Sequence, residues 1–369
     1  MRSNEGNAPM ARSRSEIPFA WSASCGMPAL ATLAGVRYDR LFLDADSFIE
    51  AYRKGAPMAQ ELFGPDVQIS GPGWAGISYG HINTLGSELK FPEDSEVAHT
   101  PIYDSLEAGI KALEADVDFA KSGMFPFYLN MWQKLQNAFP EERIPFSGFS
   151  AEGPVTTAWA LRGHGFFMDI LDRPAVAREY LQRVTASVVK YRKLIRSLNG
   201  DPEFTDKGAG VCDDIAAMVP PRLWPDLVLP YLEQYFAGQT SGMRTAHIED
   251  LTADHLKYLD ALGLSMYDPS VSAKLTPALI RDGCRTPFKW RLNSTHYRDR
   301  SAQDIERWVF ESVADGASEV FTIVAREMCT AEAAEKVRAF IRAAKKVAGL
   351  LYKGCSRMEL RDRYAAGQA

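Results

Sequence analysis

The sequence is poor in cysteine. Its five cysteines are odd in number and widely spaced, and no CxxC pair occurs among them. This pattern argues against a disulfide-stabilised scaffold and is typical of a reducing compartment, so we expect a cytoplasmic protein.

Long hydrophobic runs are also missing. No stretch reaches the roughly 18–20 apolar residues that a membrane-spanning helix needs. Near the N-terminus, Pro18, Ser22 and Ser24 interrupt the apolar residues, so this segment does not read as a signal peptide. We therefore expect no membrane partner. We also expect a disordered leader at 1–16 and a tail at 351–369, in which the last segment, "MELRDRYAAGQA", is frayed.

The chain lacks a net positive charge. Its formal charge is -5, and its lysines and arginines are scattered, so no broad cationic surface is available for phosphates. This excludes nucleic acid and favours a small-molecule substrate. With 369 residues, of which 46% are hydrophobic and 24% are charged, the chain has a globular composition and can bury a large core.

From residue 141 onward, short apolar segments alternate with helical patterns. "MRTAH" is followed by "TADHLKYLDALG", "LSMYD" by "TPALIRDG", "PFKWRL" by "SAQDIERWVFESVADG", and "SEVFTIV" by "AEAAEKVRAFIRAAKKV". Before these units, apolar spacing predicts a long helix that starts at the N-cap Asp172 and stops at Gly200, and a later helix that Pro230 should kink. The alternation predicts successive βα units of a parallel sheet.

Two architectures fit this alternation, a closed barrel or an open doubly wound sheet. No GxGxxG or GxxxxGK[ST] sequence opens any of the helices, which favours the barrel. We predict an α/β fold with a single (β/α)8 TIM barrel over 17–350 and an irregular N-terminal extension. Residues 17–140 supply the opening segments and a cap, with a hairpin near 64–92, and 141–350 supply the regular units.

In such a barrel, functional side chains gather at the carboxyl ends of the strands. The segment "MRTAHIED" places His247 and Glu249 at one of these ends, two residues apart. Imidazole and carboxylate are both zinc ligands, so the pair supplies half of a tetrahedral site. The alternative is a structural pair in which Glu249 or Asp250 caps the next helix.

Other polar residues follow neighbouring strands. The candidates for proton transfer are Asp213, Asp214 and His296. The candidates for substrate binding are Glu152, Asp268, Asn293 and Arg326, and the third candidate metal ligand is Cys329. Each has a structural alternative, such as a turn at Asp268 before proline, a helix cap at Asp214 or a packed thiol at Cys329.

Five segments occur in an order that resembles the uroporphyrinogen decarboxylase superfamily. They are "GPVTTAWALRG", "DILDRPAVAREYLQRVT", "PPRLWPDLVLPYLEQYF", "TAHIEDLTADHLKYLDALG" and "AEAAEKVRAFIRAAK". The resemblance covers roughly 146–347 and implies a (β/α)8 barrel. The superfamily includes cofactor-free porphyrinogen decarboxylases and zinc-dependent methyltransferases that act on corrinoid proteins and thiols such as coenzyme M.

The resemblance is closer to the methyltransferases, because the arginine-rich, "RQAGRY"-like segment of the decarboxylases has no counterpart here. In the methyltransferases, a His-x-Cys pair and a later cysteine hold zinc. His247 falls on that histidine, Glu249 falls on the first cysteine, and either Cys329 or Arg326 falls near the second. Carboxylate in place of thiolate implies a harder metal site with more Lewis-acid character.

Three functions remain open. The first is a methyltransferase with Zn²⁺ at the barrel mouth, which uses a corrinoid or tetrahydrofolate-type carrier on a separate partner protein. The second is a metal-free, decarboxylase-like lyase acting on a carboxylated substrate, and the third is a binding barrel without activity. The resemblance leaves the choice between a monomer and a homodimer open.

Overall fold

The computed structural model describes residues 17–73 and 76–367, so the predicted leader at 1–16 lies outside the described residues. The chain divides into two compact units. The first contains Thr100–Val117 and Ala151–Phe288, and the second contains Pro18–His99, Asp118–Ser150 and 289–367. Both units combine parallel strands with helices, which confirms an α/β fold.

Most strands are short. In chain order they are β1 (Ala20–Cys25), β2 (Gln68–Ile69), β3 (Leu89–Lys90), β4 (Ala98–His99), β5 (Gly208–Cys212), β6 (Met243–His247), β7 (Met266–Asp268), β8 (Lys289–Leu292) and β9 (Glu319–Val324). Their residues are mainly small, β-branched or aromatic, as expected for pleated and largely covered backbone.

The helices vary from one turn to seven turns. They are α1 (Met27–Ala34), α2 (Arg40–Leu43), α3 (Ala45–Phe63), α4 (Gly80–Thr84), α5 (Leu106–Ala112), α6 (Phe125–Ala138), α7 (Pro154–Arg162), α8 (Gly165–Asp172), α9 (Pro174–Leu198), α10 (Trp224–Leu227), α11 (Leu229–Ala237), α12 (Ala253–Ala261), α13 (Pro277–Gly283), α14 (Ser294–Asp299), α15 (Ala302–Ala314), α16 (Ala331–Tyr352) and α17 (Arg357–Ala365). In the described part of the chain, no helix combines the length and apolar character that crossing a membrane requires.

In the first unit, β5, β6 and β7 form a parallel sheet in that order, and Tyr267 forms a further parallel bridge to Phe288. Helix α9 packs on α7 and α11 through a fully buried face that includes Tyr180, Val184 and Tyr191. The parallel direction brings the carboxyl ends of all three strands to one edge of the sheet.

In the second unit, the parallel sheet has the order β2, β1, β9, β8, and β3 pairs with β4 in an antiparallel ladder. Helices α1 and α3 approach closely at Gly55, where an added Cβ would lie 2.8 Å from backbone atoms of Leu30. Helices α15 and α16 also pack against each other.

Two predictions about helices are confirmed and one is wrong. The long helix is α9, and the helix that contains Pro230 is interrupted at Val228, which separates α10 from α11. A proline restricts the residues before it, which explains the break there. The predicted N-cap Asp172 is wrong, because it ends α8, and α9 begins at Pro174 after Arg173.

The predicted hairpin and the predicted frayed tail also need correction. The predicted hairpin near 64–92 is not formed by the described residues, because β2 pairs in parallel with β1 and β3 pairs with β4. The tail is helical in α17 rather than frayed, because Ser356 and Glu359 form a capping box and Leu360 is fully buried. The closed barrel and its boundaries at 140 and 350 stay predictions.

Candidate functional site

Three strand ends of the first unit place polar side chains side by side. Cys212 at the end of β5 is the register partner of His247 in β6, and His247 is the register partner of Asp268 in β7. Register partners on adjacent parallel strands point to the same face of a sheet. The strand ends therefore deliver a thiol, an imidazole and a carboxylate to one place.

His247 lies at the centre of a carboxylate cluster. Its Nδ1 is 3.2 Å from Oδ2 of Asp268, and its Nε2 is 3.4 Å from Oε1 of Glu249 and 3.9 Å from Oδ1 of Asp214. We call these four residues the His247 cluster. The structure thus brings together two predicted metal ligands, one predicted substrate-binding residue and one predicted acid.

The cluster is held in place by backbone amides. The amide of Glu249 donates to Oδ1 of Asp214 at 2.8 Å, and the amide of Ser270 donates to Oδ1 of Asp268 at 2.8 Å. Between His247 and Glu249, the side chain of Ile248 is fully buried. The cluster itself remains accessible, because 29% of the His247 side chain and 44% of the Glu249 side chain are exposed.

The electrostatics of the cluster favour a protonated imidazole. Burial alone lowers the pKa of His247, but hydrogen bonds to Asp268 and Glu249 and the charges of Asp268 and Asp214 raise it to about 10. Burial also raises the pKa of Asp214 above its ordinary value. An imidazolium held between carboxylates is a proton donor whose acidity depends on its neighbours.

Asp213, predicted as a proton-transfer residue, has a different environment. It is fully buried, and its carboxylate accepts hydrogen bonds from the amides of Val155 at 3.2 Å and Thr156 at 2.6 Å in the first turn of α7. Burial raises its pKa to about 6. These contacts favour a structural role for Asp213, as a cap of α7 supplied from another part of the chain.

The sequence patterns did not single out Cys212, and they singled out Glu152 only as a candidate substrate-binding residue. Cys212 is exposed at the end of β5, and its place directly before Asp213 was the available signal. Glu152 precedes α7, and its charge interacts with Cys212 and with the partly buried Arg192 of α9. Cys212 is the register partner of His247, and Glu152 acts on the same end of β5 through its charge.

Four other predicted site residues belong to the second unit. Asn293 is the N-cap of α14 and accepts a hydrogen bond from the amide of His296 at 3.1 Å, while Nδ1 of His296 accepts from the amide of Asn293 at 3.4 Å. Burial, followed by the charge of Arg300, lowers the pKa of His296. Helix capping thus accounts for both side chains without a catalytic role.

Arg326 and Cys329 follow β9. The guanidinium of Arg326 lies over the ring of Tyr38 at 4.8 Å and pairs with Asp94 at 3.1 Å. Sγ of Cys329 lies 3.6 Å from the carbonyl of Ala29, and burial, followed by the charge of Glu327, raises the pKa of its thiol to about 11. The environment of Cys329 is that of a packed thiol.

The donors do not fit a metal site as they are arranged. Within residues 17–73 and 76–367, no group of three or more histidine, cysteine, aspartate and glutamate side chains is placed to hold a metal ion. In the His247 cluster, each imidazole nitrogen already has a carboxylate partner. A zinc ligand must instead offer an unprotonated nitrogen to the metal.

His255, another histidine of the first unit, is expected to make the free energy of unfolding depend on pH. Nδ1 of His255 accepts from the amide of Thr252 at 3.1 Å, Nε2 lies 3.1 Å from the carbonyl of Val219, and burial lowers the pKa. The folded state therefore keeps His255 neutral, whereas the unfolded state takes up a proton below its ordinary pKa of 6.5. We expect the free energy of unfolding to fall as the pH drops below 6.5, and to fall less in His255→Gln. Urea denaturation between roughly pH 5.5 and 7.5 measures this, and equal slopes in both proteins would contradict it.

Comparison with known proteins agrees with this architecture. Residues 77–346 match the uroporphyrinogen decarboxylase family. The fold is similar to that of a methyltransferase from Methanosarcina mazei, with a TM-score of 0.64 and 15% sequence identity over 90% of this chain and 94% of that chain. The comparison with curated proteins found no match. The resemblance seen in the sequence is thus confirmed: this chain belongs to the uroporphyrinogen decarboxylase family.

Proposed function

We propose that this chain is a methyltransferase-like enzyme that moves a methyl group from an ether or thioether to a corrinoid or pterin carrier on a partner protein. In this proposal, His247 donates a proton to the departing oxygen or sulfur. The observation that carries it is the His247 cluster, in which three carboxylates surround one partly exposed imidazole at the ends of adjacent parallel strands. The fold shared with a methyltransferase supports the reaction class.

The chemistry requires a proton at one defined atom. On methyl transfer the carrier would supply the electron pair of the new bond to the methyl carbon, while the carbon–oxygen or carbon–sulfur bond would break with its electron pair staying on the oxygen or sulfur. A proton from Nε2 of His247 converts this anion into a neutral alcohol, phenol or thiol. The electron pair and the proton are then both accounted for, and the imidazole is neutral until solvent reprotonates it.

The acidity of the imidazole suits this leaving group. Phenols have a pKa of about 10 and thiols of about 8.5, which is close to the value of about 10 for His247. At neutral pH an imidazole with this pKa is protonated, and transfer of its proton to a leaving group of similar pKa is close to balanced in free energy. Asp268 holds Nδ1 and thereby orients the ring, while Glu249 and Asp214 keep Nε2 protonated.

The predicted eight-stranded barrel is part of this proposal. Its support is the strand-and-helix alternation, the parallel strand directions and the position of the His247 cluster at carboxyl strand ends. We propose that the methyl donor binds at these carboxyl ends of the strands.

The cluster favours methyl transfer over the lyase alternative. Three carboxylates surround a single imidazole, so the charges that a carboxylated substrate would meet there are mostly negative. A neutral ether or thioether carries no charge that these carboxylates would repel. The lyase therefore receives no specific support from this geometry.

Elemental analysis can decide between the zinc that the resemblance implies and the metal-free cluster proposed here. Because the donors of the His247 cluster are paired with one another, we expect well below about 0.1 zinc per chain in the purified protein. Zinc near one equivalent per chain, lost in His247→Ala but kept in the exposed-histidine variant His164→Ala, would overturn the arrangement proposed above.

The reaction itself is tested with free cobalamin in place of the partner protein. The purified chain is mixed with cob(I)alamin and an aryl methyl ether or a methyl thioether, and the absorbance of methylcobalamin is followed. We expect methylcobalamin and one equivalent of demethylated product above the rate without protein. Decarboxylation of a carboxylated substrate without methyl transfer would favour the lyase instead.

A further inference from the structure

The two faces of the sheet formed by β5, β6 and β7 differ in exposure. On one face, Val211, Ala246 and Tyr267 are buried, with 2% or less of each residue exposed. On the other face, which carries His247, Gly210 and Thr245 are exposed. Parallel sheets are normally covered on both faces. The accessible face therefore has room for a ligand next to the His247 cluster.

The register of the strands places three residues of this face in one row. Gly210, Thr245 and Met266 are register partners across β5, β6 and β7, two residues before the row that contains His247. We call these three residues the lower row. Two residues of a strand span about 6.6 Å, which is close to the distance from the oxygen of a phenol to a substituent on the opposite side of its ring. A ligand held at His247 can therefore reach the lower row.

The lower row has little bulk on β5 and β6. Gly210 carries no side chain, and a Cβ added there would lie 2.9 Å from Oγ1 of Thr245. The short side chain of Thr245 therefore borders the space above Gly210. Side chains stand roughly perpendicular to a sheet, so the longer imidazole of His247 rises beside this space. We call the space above Gly210 and Thr245 the lower recess.

The backbone that forms the floor of the lower recess is held in place. The hydroxyl of Tyr235, a fully buried residue of α11, donates to the carbonyl oxygen of Gly210 at 2.8 Å. The neighbours Val211 and Ala246 are buried on the opposite face of the sheet. A floor that is already ordered costs little conformational entropy when a ligand binds to it.

The lower row differs from the His247 cluster in charge. Glycine, threonine and methionine do not ionise, whereas the cluster combines an imidazole with carboxylates. The methyl group of Thr245 and the partly exposed thioether of Met266 offer apolar contacts, and a thioether sulfur also packs well against aromatic rings. The two rows therefore suit a ligand with a polar atom at one end and an uncharged apolar body at the other.

We propose that the lower recess holds the uncharged, elongated apolar body of the methyl donor, and that Thr245 sets how large this body can be. The inference rests on the proposed function for the position of the methyl group. The departing oxygen or sulfur lies at Nε2 of His247, the methyl group faces the strand ends, where a carrier can approach, and the body extends along the strands toward Gly210. Thr245 takes no part in proton transfer and acts on substrate specificity alone.

Isothermal titration of the full-length protein with phenol, 4-methylphenol and 4-propylphenol tests the proposal. In the wild type we expect the affinity to rise about three- to fourfold for each added carbon, because the alkyl group enters the lower recess. Thr245→Ile keeps a β-branched side chain but fills the recess, so it should bind phenol within about twofold of the wild type and 4-propylphenol no more tightly than phenol. The matched control is Thr32→Ile at an exposed threonine of α1, which should retain the wild-type rise.

Circular dichroism and thermal unfolding establish that each variant is folded before titration. Absence of saturable binding of the alkylphenols to the wild type would overturn the proposal, as would the same rise with alkyl length in the wild type and Thr245→Ile. Loss of the rise in Thr32→Ile as well would also overturn it, because the effect would not belong to the recess. These phenols carry no methyl group that can be transferred, so their binding is independent of turnover. Alkylphenol binding as expected without any methyl transfer from the corresponding ethers would defeat the proposed function alone.

Discussion

His247→Ala is expected to lower the rate of methyl transfer to cob(I)alamin by about 10²–10⁴-fold, because it removes the proton donor to the leaving group. Its effect on the Michaelis constant should be small, since the imidazole acts on an atom that becomes charged only during the reaction. Single-turnover absorbance changes of cobalamin measure the rate directly. The variant should remain folded, because the His247 side chain is partly exposed.

Two further variants make this prediction specific. Asp268→Asn keeps the size of the side chain but removes the charge that orients Nδ1, and we expect a smaller loss of about tenfold. His164→Ala changes an exposed histidine of the same unit that lies outside the cluster and should retain the wild-type rate within about twofold. Equal losses in His164→Ala and His247→Ala would show that neither effect is due to the cluster.

Asp213→Ala is expected to lower the free energy of unfolding by about 2–4 kcal/mol. The substitution leaves the buried amides of Val155 and Thr156 without their acceptor at the start of α7. It also removes atoms that pack closely on Gly153, where an added Cβ would lie 2.6 Å from the Asp213 side chain. Urea denaturation with an unchanged m-value measures the loss.

The neighbouring residue Asp214 provides the control. Its side chain is 42% exposed and accepts a hydrogen bond from the amide of Glu249, so Asp214→Ala should cost only about 0.5–1.5 kcal/mol. In the methyl-transfer assay, with rates compared per folded molecule, Asp214→Ala should lose more activity than Asp213→Ala. A stable Asp213→Ala protein without activity would instead restore the catalytic role that the sequence suggested.

The second half of the fold follows from local sequence patterns, whereas its beginning does not. The strand segment "FTIV" is mainly apolar, "MRTAH" is more polar, and each is followed by an amphipathic helix, so the repeat of strand and helix is visible in the sequence. Strand β1 was missed because "AWSASC" alternates small and polar residues, and only Ala23 and Cys25 are buried. Its pairing with β9, almost 300 residues later, is a tertiary contact that no local pattern encodes.

The candidate site was predictable to the extent that strand ends are predictable. His247, Glu249, Asp214 and Asp268 were selected as residues that follow strands, and the register of β5, β6 and β7 brings them together. Asp213 and Asp214 are adjacent and chemically identical. Only their burial distinguishes Asp213, which caps α7, from Asp214, which belongs to the His247 cluster. His296 similarly follows a strand, but the capping box of α14 engages it.

The central claim is that His247 passes a proton to the atom that loses the methyl group. The most direct measurement is the rate of methyl transfer to cob(I)alamin from a series of aryl methyl ethers whose phenols differ in acidity, in wild type and His247→Ala. Proton donation predicts a weak dependence on phenol acidity in the wild type and a steep one in the variant, because only the variant must release an unprotonated phenolate. The same dependence in both proteins would contradict the claim.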